Sequence, residues 1–334
     1  MTKSEAELLL AAILRPINEG IVPNVRPVYT FDQFVERAYL PHCRRTWKQS
    51  TETTSVPIIR NHVVAAFPDR LLGTISRTEM QDLLEAKAKK LGSSMVKHIR
   101  WHLNGIFKLA ESDGLIDHNP AAQLRIPKNC KAGRVVRPLT EDEVNDYLGA
   151  LDLQERLLAR LTLIEGLRGP GENLALRWGA FLEEDILLVK ERVYQGKFDT
   201  PKQGKPREVA LSQGTMADFR AWRCLARSTT AEAFVFPSEN PASPLDMGNL
   251  WDRSFAPRLK GVGLEWATFQ VLRSTNATLS KKAKADVKVS ADQRGHGVRV
   301  SLEVYTKSDR QQKRQAVRKL ESLVARKRQR RLSA

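Results

Sequence analysis

Three positions late in the chain could together act on a phosphodiester: Arg273, the Gly295-His296 pair, and Tyr305 nine residues beyond the histidine. A guanidinium can grip phosphoryl oxygens, an imidazole can donate a hydrogen bond or exchange a proton, and a phenol can attack phosphorus. The chain has six histidines, and His296 is the only one after His118. Cutting DNA without a metal needs an aligned nucleophile, cations on the nonbridging oxygens and an acid for the leaving sugar oxygen. Further cations lie upstream, Arg168 in Gly166-Leu167-Arg168 and Lys202 in the turn-like Thr200 to Pro206, where Lys205 is the competing lysine. A lysine enclosed with other cations can serve as that acid if its pKa falls from about 10.4. The sequence offers no HExxH, no carboxylate cluster and no P-loop, so neither a metal nor a cofactor is expected.

These residues need elements to hold them. The Gly166-Leu167-Arg168 stretch opens a helix-like run that ends at Leu176-Arg177-Trp178. Strand-like runs, Ile186 to Val193 and Glu208 to Leu211, flank the polar turn, and helical segments return from Gly248 onward. Ahead of them, Thr140-Glu-Asp-Glu143 fits a capping box and starts a helical stretch from Glu141 to about Gly166.

Residues 28–128 read as all-helical. Thr30 to Gln33 and Ser76 to Glu79 are two more capping-box patterns, and the second opens a helix through about Lys90. The next helix is expected from about Ser93 to Ser112, with Val96, Ile99, Leu103, Ile106 and Ala110 as its apolar stripe. Its opposite stripe, Lys97, Arg100, Asn104 and Lys108, suits a helix lying on DNA, although a solvated polar face gives the same pattern. His98 and His102, four apart with no third ligand in view, are expected to be surface histidines. Pro120 and Pro127 break the helix, and a basic linker over 129–138 leads into the second domain. Residues 1–27 form a short tail, docked or mobile, and the tail after Tyr305 carries eleven Lys or Arg against Asp309 and Glu321.

Composition narrows the partner. A length of 334 residues allows two domains, and 41% hydrophobic with 28% charged residues is ordinary for a globular protein. A formal net charge of +17 is not ordinary, and it favours nucleic acid. Cys43, Cys130 and Cys224 are scattered and odd in number, which suits a reducing cytoplasm. The early apolar run from Leu8 to Leu14 is too short to span a bilayer, so no membrane association is expected.

In order, Arg168, Lys202, Gln270-x-x-Arg273, His296 and Tyr305, behind a helical region ending in Asn119-Pro120, resemble the tyrosine recombinase (phage integrase) family from about residue 28 to about 310. The resemblance implies a mainly α chain: a helical, SAM-like core-binding domain over 28–128 and a mostly helical catalytic domain with a small antiparallel sheet over 139–310. Residues 311–334 would then be a basic C-terminal tail. It implies a site-specific DNA recombinase of a mobile genetic element, with Tyr305 as nucleophile, Lys202 as acid, and Arg168, Arg273 and His296 on the phosphate. Double-stranded recombination sites, a homo-tetramer at synapsis, a directionality accessory factor and a nucleoid-associated cytoplasmic location are further implications. Two departures stand out. Gln270 occupies a place where relatives commonly have His, and Glu172 follows Arg168 by four residues, through Gly169-Pro170-Gly171, where relatives usually have three. Two other readings remain compatible: a degenerate integrase that only binds DNA, and strand relaxation like that of a type IB topoisomerase.

Overall fold

The structure is a computed structural model that describes residues 27–133, 136–201 and 204–297, with scattered positions among the first 15. Lys202 and Tyr305 lie outside the described residues. The chain divides into two compact units at Val135/Val136.

In the first unit, helical segments Phe31–Phe34, Val35–Tyr39 and Leu40–Arg44 run on from one another, as do Gln49–Ile58 and Ile59–Val63. Two longer helices follow, α1 (Arg77–Ala88) and α2 (Ser93–Ser112). The α2 stripe of Val96, Ile99, Leu103, Ile106 and Ala110 is fully buried, as its spacing predicts, against Phe31, Leu40, Ile59, Met80 and Leu84. Each of the Val, Ile and Leu side chains so removed from water contributes roughly 1.5–3 kcal/mol. The capping box at Ser76 is present: its Oγ accepts from Glu79 N at 3.3 Å, and Glu79 Oε2 accepts from Ser76 N at 2.9 Å. At Thr30 it is absent, because the hydroxyl donates to Asp32 Oδ1 at 2.5 Å instead of capping the helix.

The histidine expectation is half corrected. His98 is exposed, but His102 is fully buried, 3.3 Å from Tyr39 Oη through its Nδ1 and ringed by Tyr39, Trp47 and Trp101. An aromatic pocket, which periodicity cannot register, accounts for its burial. The polar stripe of α2 also divides. Lys97 and Lys108 are exposed, whereas half-buried Arg100 donates to Leu124 O at 3.2 Å and Asn104 Oδ1 accepts from Asn119 at 3.0 Å.

The second unit begins with a working capping box, Thr140 Oγ1 accepting from Glu143 N at 3.2 Å. The single helix expected from Glu141 is two, α3 (Glu141–Gly149) and α4 (Leu153–Leu163), the second starting from Asp152 at its N-cap. The helix-like run expected from Gly166 to Trp178 shrinks to α5 (Gly171–Leu174), since Pro170 occupies the N-cap and Gly171 the first turn. Strands β1 (Phe181–Glu183), β2 (Ile186–Val189) and β5 (Arg207–Ala210) form an antiparallel sheet in the order β1-β2-β5, with Val189 opposite Arg207. The strand expected over Ile186 to Val193 breaks after Val189, and β3 (Arg192–Tyr194) pairs instead with β4 (Lys197–Asp199) as a separate hairpin. Helix α6 (Gln213–Leu225) was not anticipated from sequence. Short segments Met247–Leu250, Trp251–Phe255 and Ala256–Gly261 lead to α7 (Phe269–Lys282) and α8 (Val287–Arg294).

Leu157, Leu158 and Leu161 of α4, Leu272 of α7, Val209 of β5 and Phe255 share one core, all fully buried. Among the described residues no helix is long and apolar enough to cross a membrane, and no group of three metal-binding side chains occurs. The segment entering α3 is tied to α7 by one buried bond, Leu139 N donating to Thr275 Oγ1 at 2.9 Å. Thr275→Val keeps the shape and strands that N–H, so it should cost about 1–3 kcal/mol in urea unfolding. A loss below a few tenths would show that the amide finds another acceptor.

Candidate active site

Arg273 sits in the second turn of α7 with a side chain that is almost wholly enclosed. Its Nη1 donates to Gly166 O, and its Nη2 donates to Arg294 O at 2.6 Å and meets His296 Nε2 at 2.7 Å. Guanidinium has no acceptor, so Nε2 holds its lone pair toward Arg273, and the proton of a neutral ring is assigned to Nδ1. Arg168, in the loop between α4 and α5, donates from Nη2 to Gly295 O. The structure therefore brings together Arg168, Arg273 and His296, three of the residues singled out by sequence. Gln270 lies exposed one turn before Arg273, and Lys205 is exposed beyond the β3–β4 hairpin.

Two glycines make the convergence possible. Gly166 has φ +77°, and a Cβ there would lie 2.7 Å from Arg294 Cγ. Gly295 has φ +62° as the left-handed end of α8, and a Cβ there would lie 2.9 Å from the Arg207 side chain. Arg294 itself is buried, with Nη1 donating to Asn276 Oδ1 at 3.2 Å and to Ser280 Oγ at 3.1 Å.

Beneath the site lies Glu172, 1% exposed. It accepts from Arg168 N at 2.7 Å, and from Arg207 Nη1 at 3.0 Å and Nη2 at 2.6 Å. Arg168 Nη1 also approaches it, at 3.4 Å. Burial pushes the Glu172 carboxyl up, but the bonds and charge of Arg207, with Arg168 adding to them, outweigh it and hold the group below the usual carboxylate range. The longer spacing from Arg168 to Glu172 is thus accommodated, and the pair still forms. Arg207 also donates from Nε to Gln293 O at 3.2 Å, which fastens β5 to the last turn of α8.

Arg207, Arg294 and Asn276 were not singled out from sequence. Arg207 follows directly on the Lys-bearing turn and Arg294 directly precedes Gly295-His296. That adjacency was the signal available.

Burial, and then the charges of Arg273, Arg168, Arg294 and Arg207, push the His296 imidazole down to about 3. The ring is therefore neutral at physiological pH and offers hydrogen-bonding nitrogens rather than a positive charge. The arrangement can hold an anionic centre with two guanidiniums and one imidazole donor, and among the described residues no group of three metal-binding side chains accompanies it.

Among solved structures, the fold is similar to that of the Tn1549 transposon integrase in complex with a circular intermediate DNA, at 17% identity and TM-score 0.73 over 87% of this chain and 99% of that one. It is also similar to the lambda integrase tetramer bound to a Holliday junction, at 21% identity and TM-score 0.65 over 91% and 88% of the two chains. A lambda integrase dimer bound to a COC′ core site matches at 18% identity and TM-score 0.65, over 93% of this chain and 90% of that one. At these identities the likeness is one of fold: the chain folds as an integrase does, with the mostly helical architecture and small antiparallel sheet expected of it. No protein-family model and no curated protein matches the chain.

The depressed histidine gives a test with a fixed sign. The unfolded chain takes up a proton on this ring near pH 6.5, whereas the folded chain does so only near 3. Its neutral form therefore stabilises the fold fully above about pH 6.5, and that contribution drains away as pH falls toward 3. His296→Gln should flatten the loss of urea resistance between pH 6.5 and 4. Imidazole NMR signals of the folded wild type should show no titration for this ring in that window, and a midpoint near 6.5 would contradict the site as described.

Proposed function

We propose that the protein is a site-specific DNA recombinase of the tyrosine type, an integrase that cuts and rejoins duplex DNA through a 3′-phosphotyrosine. The observation that carries this reading is the convergence of Arg168, Arg273 and neutral His296 on one spot, with both guanidiniums held by main-chain carbonyls. The integrase fold and the net charge of +17 support it.

In this reading the scissile phosphate enters between the two guanidiniums, and the His296 Nδ1–H donates to a nonbridging oxygen. The Tyr305 oxygen attacks phosphorus as its phenolic proton passes to solvent, the bond to the 5′ oxygen breaks, and Lys202 gives that oxygen its proton. The cations lower the barrier by stabilising negative charge that builds on the phosphorane. The free 5′-hydroxyl of a partner strand then attacks the phosphotyrosine and releases the phenol, so bond energy is conserved and neither metal nor nucleotide cofactor is consumed. Gln270, at a place where His is common in the family it resembles, would contribute a hydrogen bond but no proton shuttle.

Exchange between two duplexes calls for four protomers at synapsis, and the lambda integrase structure on a Holliday junction is a tetramer. The direction of the reaction would be set by an accessory factor, and the element served would be a mobile one, acted on at the nucleoid in the cytoplasm. Lys97 and Lys108 of α2 would add phosphate contacts from the first unit.

Nicked suicide duplexes drawn from DNA flanking the gene, incubated in EDTA, test the chemistry. Wild type should form an SDS-resistant protein–DNA adduct, and Tyr305→Phe should form none. Arg168→Ala and Arg273→Ala should each slow adduct formation by about 10²- to 10³-fold. Duplex binding with no adduct from the wild type on fragments that contain the site would assign the protein to DNA binding alone, and relaxation of supercoiled plasmid without strand exchange would assign it to topoisomerase chemistry.

A further inference from the structure

Helix α2 carries one aromatic side chain that the core does not use. Trp101 is 54% exposed, while the other five tryptophans are buried or half-buried. At about 100° per residue, Lys97, Trp101 and Lys108 fall within an arc of about 40° and span about 16 Å of helix axis. Their neighbours on one side are occupied: Arg100 holds Leu124 O, Asn104 holds Asn119, and Glu111 accepts from Asn119 N at 3.1 Å. No Asp or Glu occurs from Ser93 to Ala110. The outward stripe of α2 is therefore an indole flanked by two lysines, rotated from the stripe that periodicity alone selects.

The indole is also held in place. It meets the buried His102 ring edge-on, 4.8 Å between centroids, and His102 is backed in turn by Trp47 at 5.9 Å. Burial keeps His102 well down, at about 4, so it serves as a neutral aromatic spacer. A large apolar surface that is already ordered loses little side-chain freedom on binding. The charge around it selects a polyanion over an apolar protein face.

We propose that Trp101 is a duplex-DNA contact of the first unit: its indole lies against the apolar deoxyribose edge of the backbone while Lys97 and Lys108 engage phosphates on either side. The inference rests on the duplex-binding part of the proposed function. It differs from a phosphate contact in one measurable way. Lysine–phosphate pairing releases counterions and depends on salt, whereas burial of an indole does not.

The test is anisotropy of a labelled random-sequence duplex across a salt series, with the full chain and its Trp101→Ala, Trp101→Phe, Lys97→Ala and Lys108→Ala variants. Trp101→Ala should weaken binding on the order of tenfold at every salt concentration with an unchanged slope. Trp101→Phe should recover most of the loss, and each lysine variant should reduce the slope by about 0.9. DNA should quench tryptophan fluorescence more in the wild type than in Trp101→Phe. Equal thermal midpoints would separate lost contact from lost fold, and a Trp101→Ala variant that fails to fold leaves the Trp101→Phe quenching comparison to decide. Wild-type affinity in a folded Trp101→Ala, or a slope shifted as for a lysine, overturns the assignment while leaving DNA binding intact. A wild type that ignores duplex DNA would instead overturn the functional reading, and the inference with it. A sedimenting wild-type dimer that Trp101→Ala dissociates without change in DNA affinity would assign the face to a second copy.

Discussion

The site depends on one buried carboxylate. Glu172 takes the main-chain N–H of Arg168 and both terminal nitrogens of Arg207, and Arg207 reaches on to the Gln293 carbonyl. The Glu172–Arg207 pair thus fixes the loop bearing Arg168, the start of β5 and the last turn of α8 relative to one another. Burying such an ion pair is costly, because desolvation of both charges offsets most of their attraction. What the pair supplies is geometry: three segments distant in sequence are locked before any substrate arrives.

A second constraint concerns how the remaining cations are held. Arg273 is anchored by two carbonyl oxygens and an imidazole nitrogen, and Arg168 reaches the Gly295 carbonyl. These acceptors orient the guanidiniums, and the carbonyl dipoles among them add no net charge, while Glu172 also lies 3.4 Å from Arg168 Nη1. His296 registers the enclosure first and the positive charge second: burial opposes its protonation most, and the four arginines add to that. A site built in this way favours a polyanionic guest and stabilises charge that grows on it. The bare α-carbons at Gly166 and Gly295 let the carbonyls come close enough to serve.

Much of the fold was legible wherever local chemistry settles the matter. The α2 stripe follows from helical periodicity alone, and the Ser76 and Thr140 caps from reciprocal bonding within four residues. Thr30 shows the limit of such motifs, because its hydroxyl found Asp32 within the same turn. Helix α6 escaped notice for a tertiary reason. Two of its three buried residues are polar, Thr215 and Asp218, and Asp218 is satisfied by Arg156 at 2.9 Å and Arg160 at 3.0 Å from α4. A buried Asp whose partners lie some sixty residues away is invisible to any windowed pattern. His102 was misjudged for a like reason, its pocket being assembled from Tyr39, Trp47 and Trp101.

The sequence by itself determined the types and order of the candidate site residues, the strongly basic charge of the chain and the helices that carry short-range signals. These follow from composition and from interactions spanning a few residues. Only the tertiary structure decided which cations meet. It joined Arg168, Arg273 and His296, recruited Arg207 through the Glu172 carboxylate and the Gln293 carbonyl and Arg294 through Asn276 and Ser280 of α7, left Gln270 exposed, and turned Trp101 outward in place of Arg100 and Asn104. The physical reason is common to all of these outcomes. A buried guanidinium or imidazole goes where partners for its nitrogens can be assembled, and those partners are brought together by packing rather than by spacing.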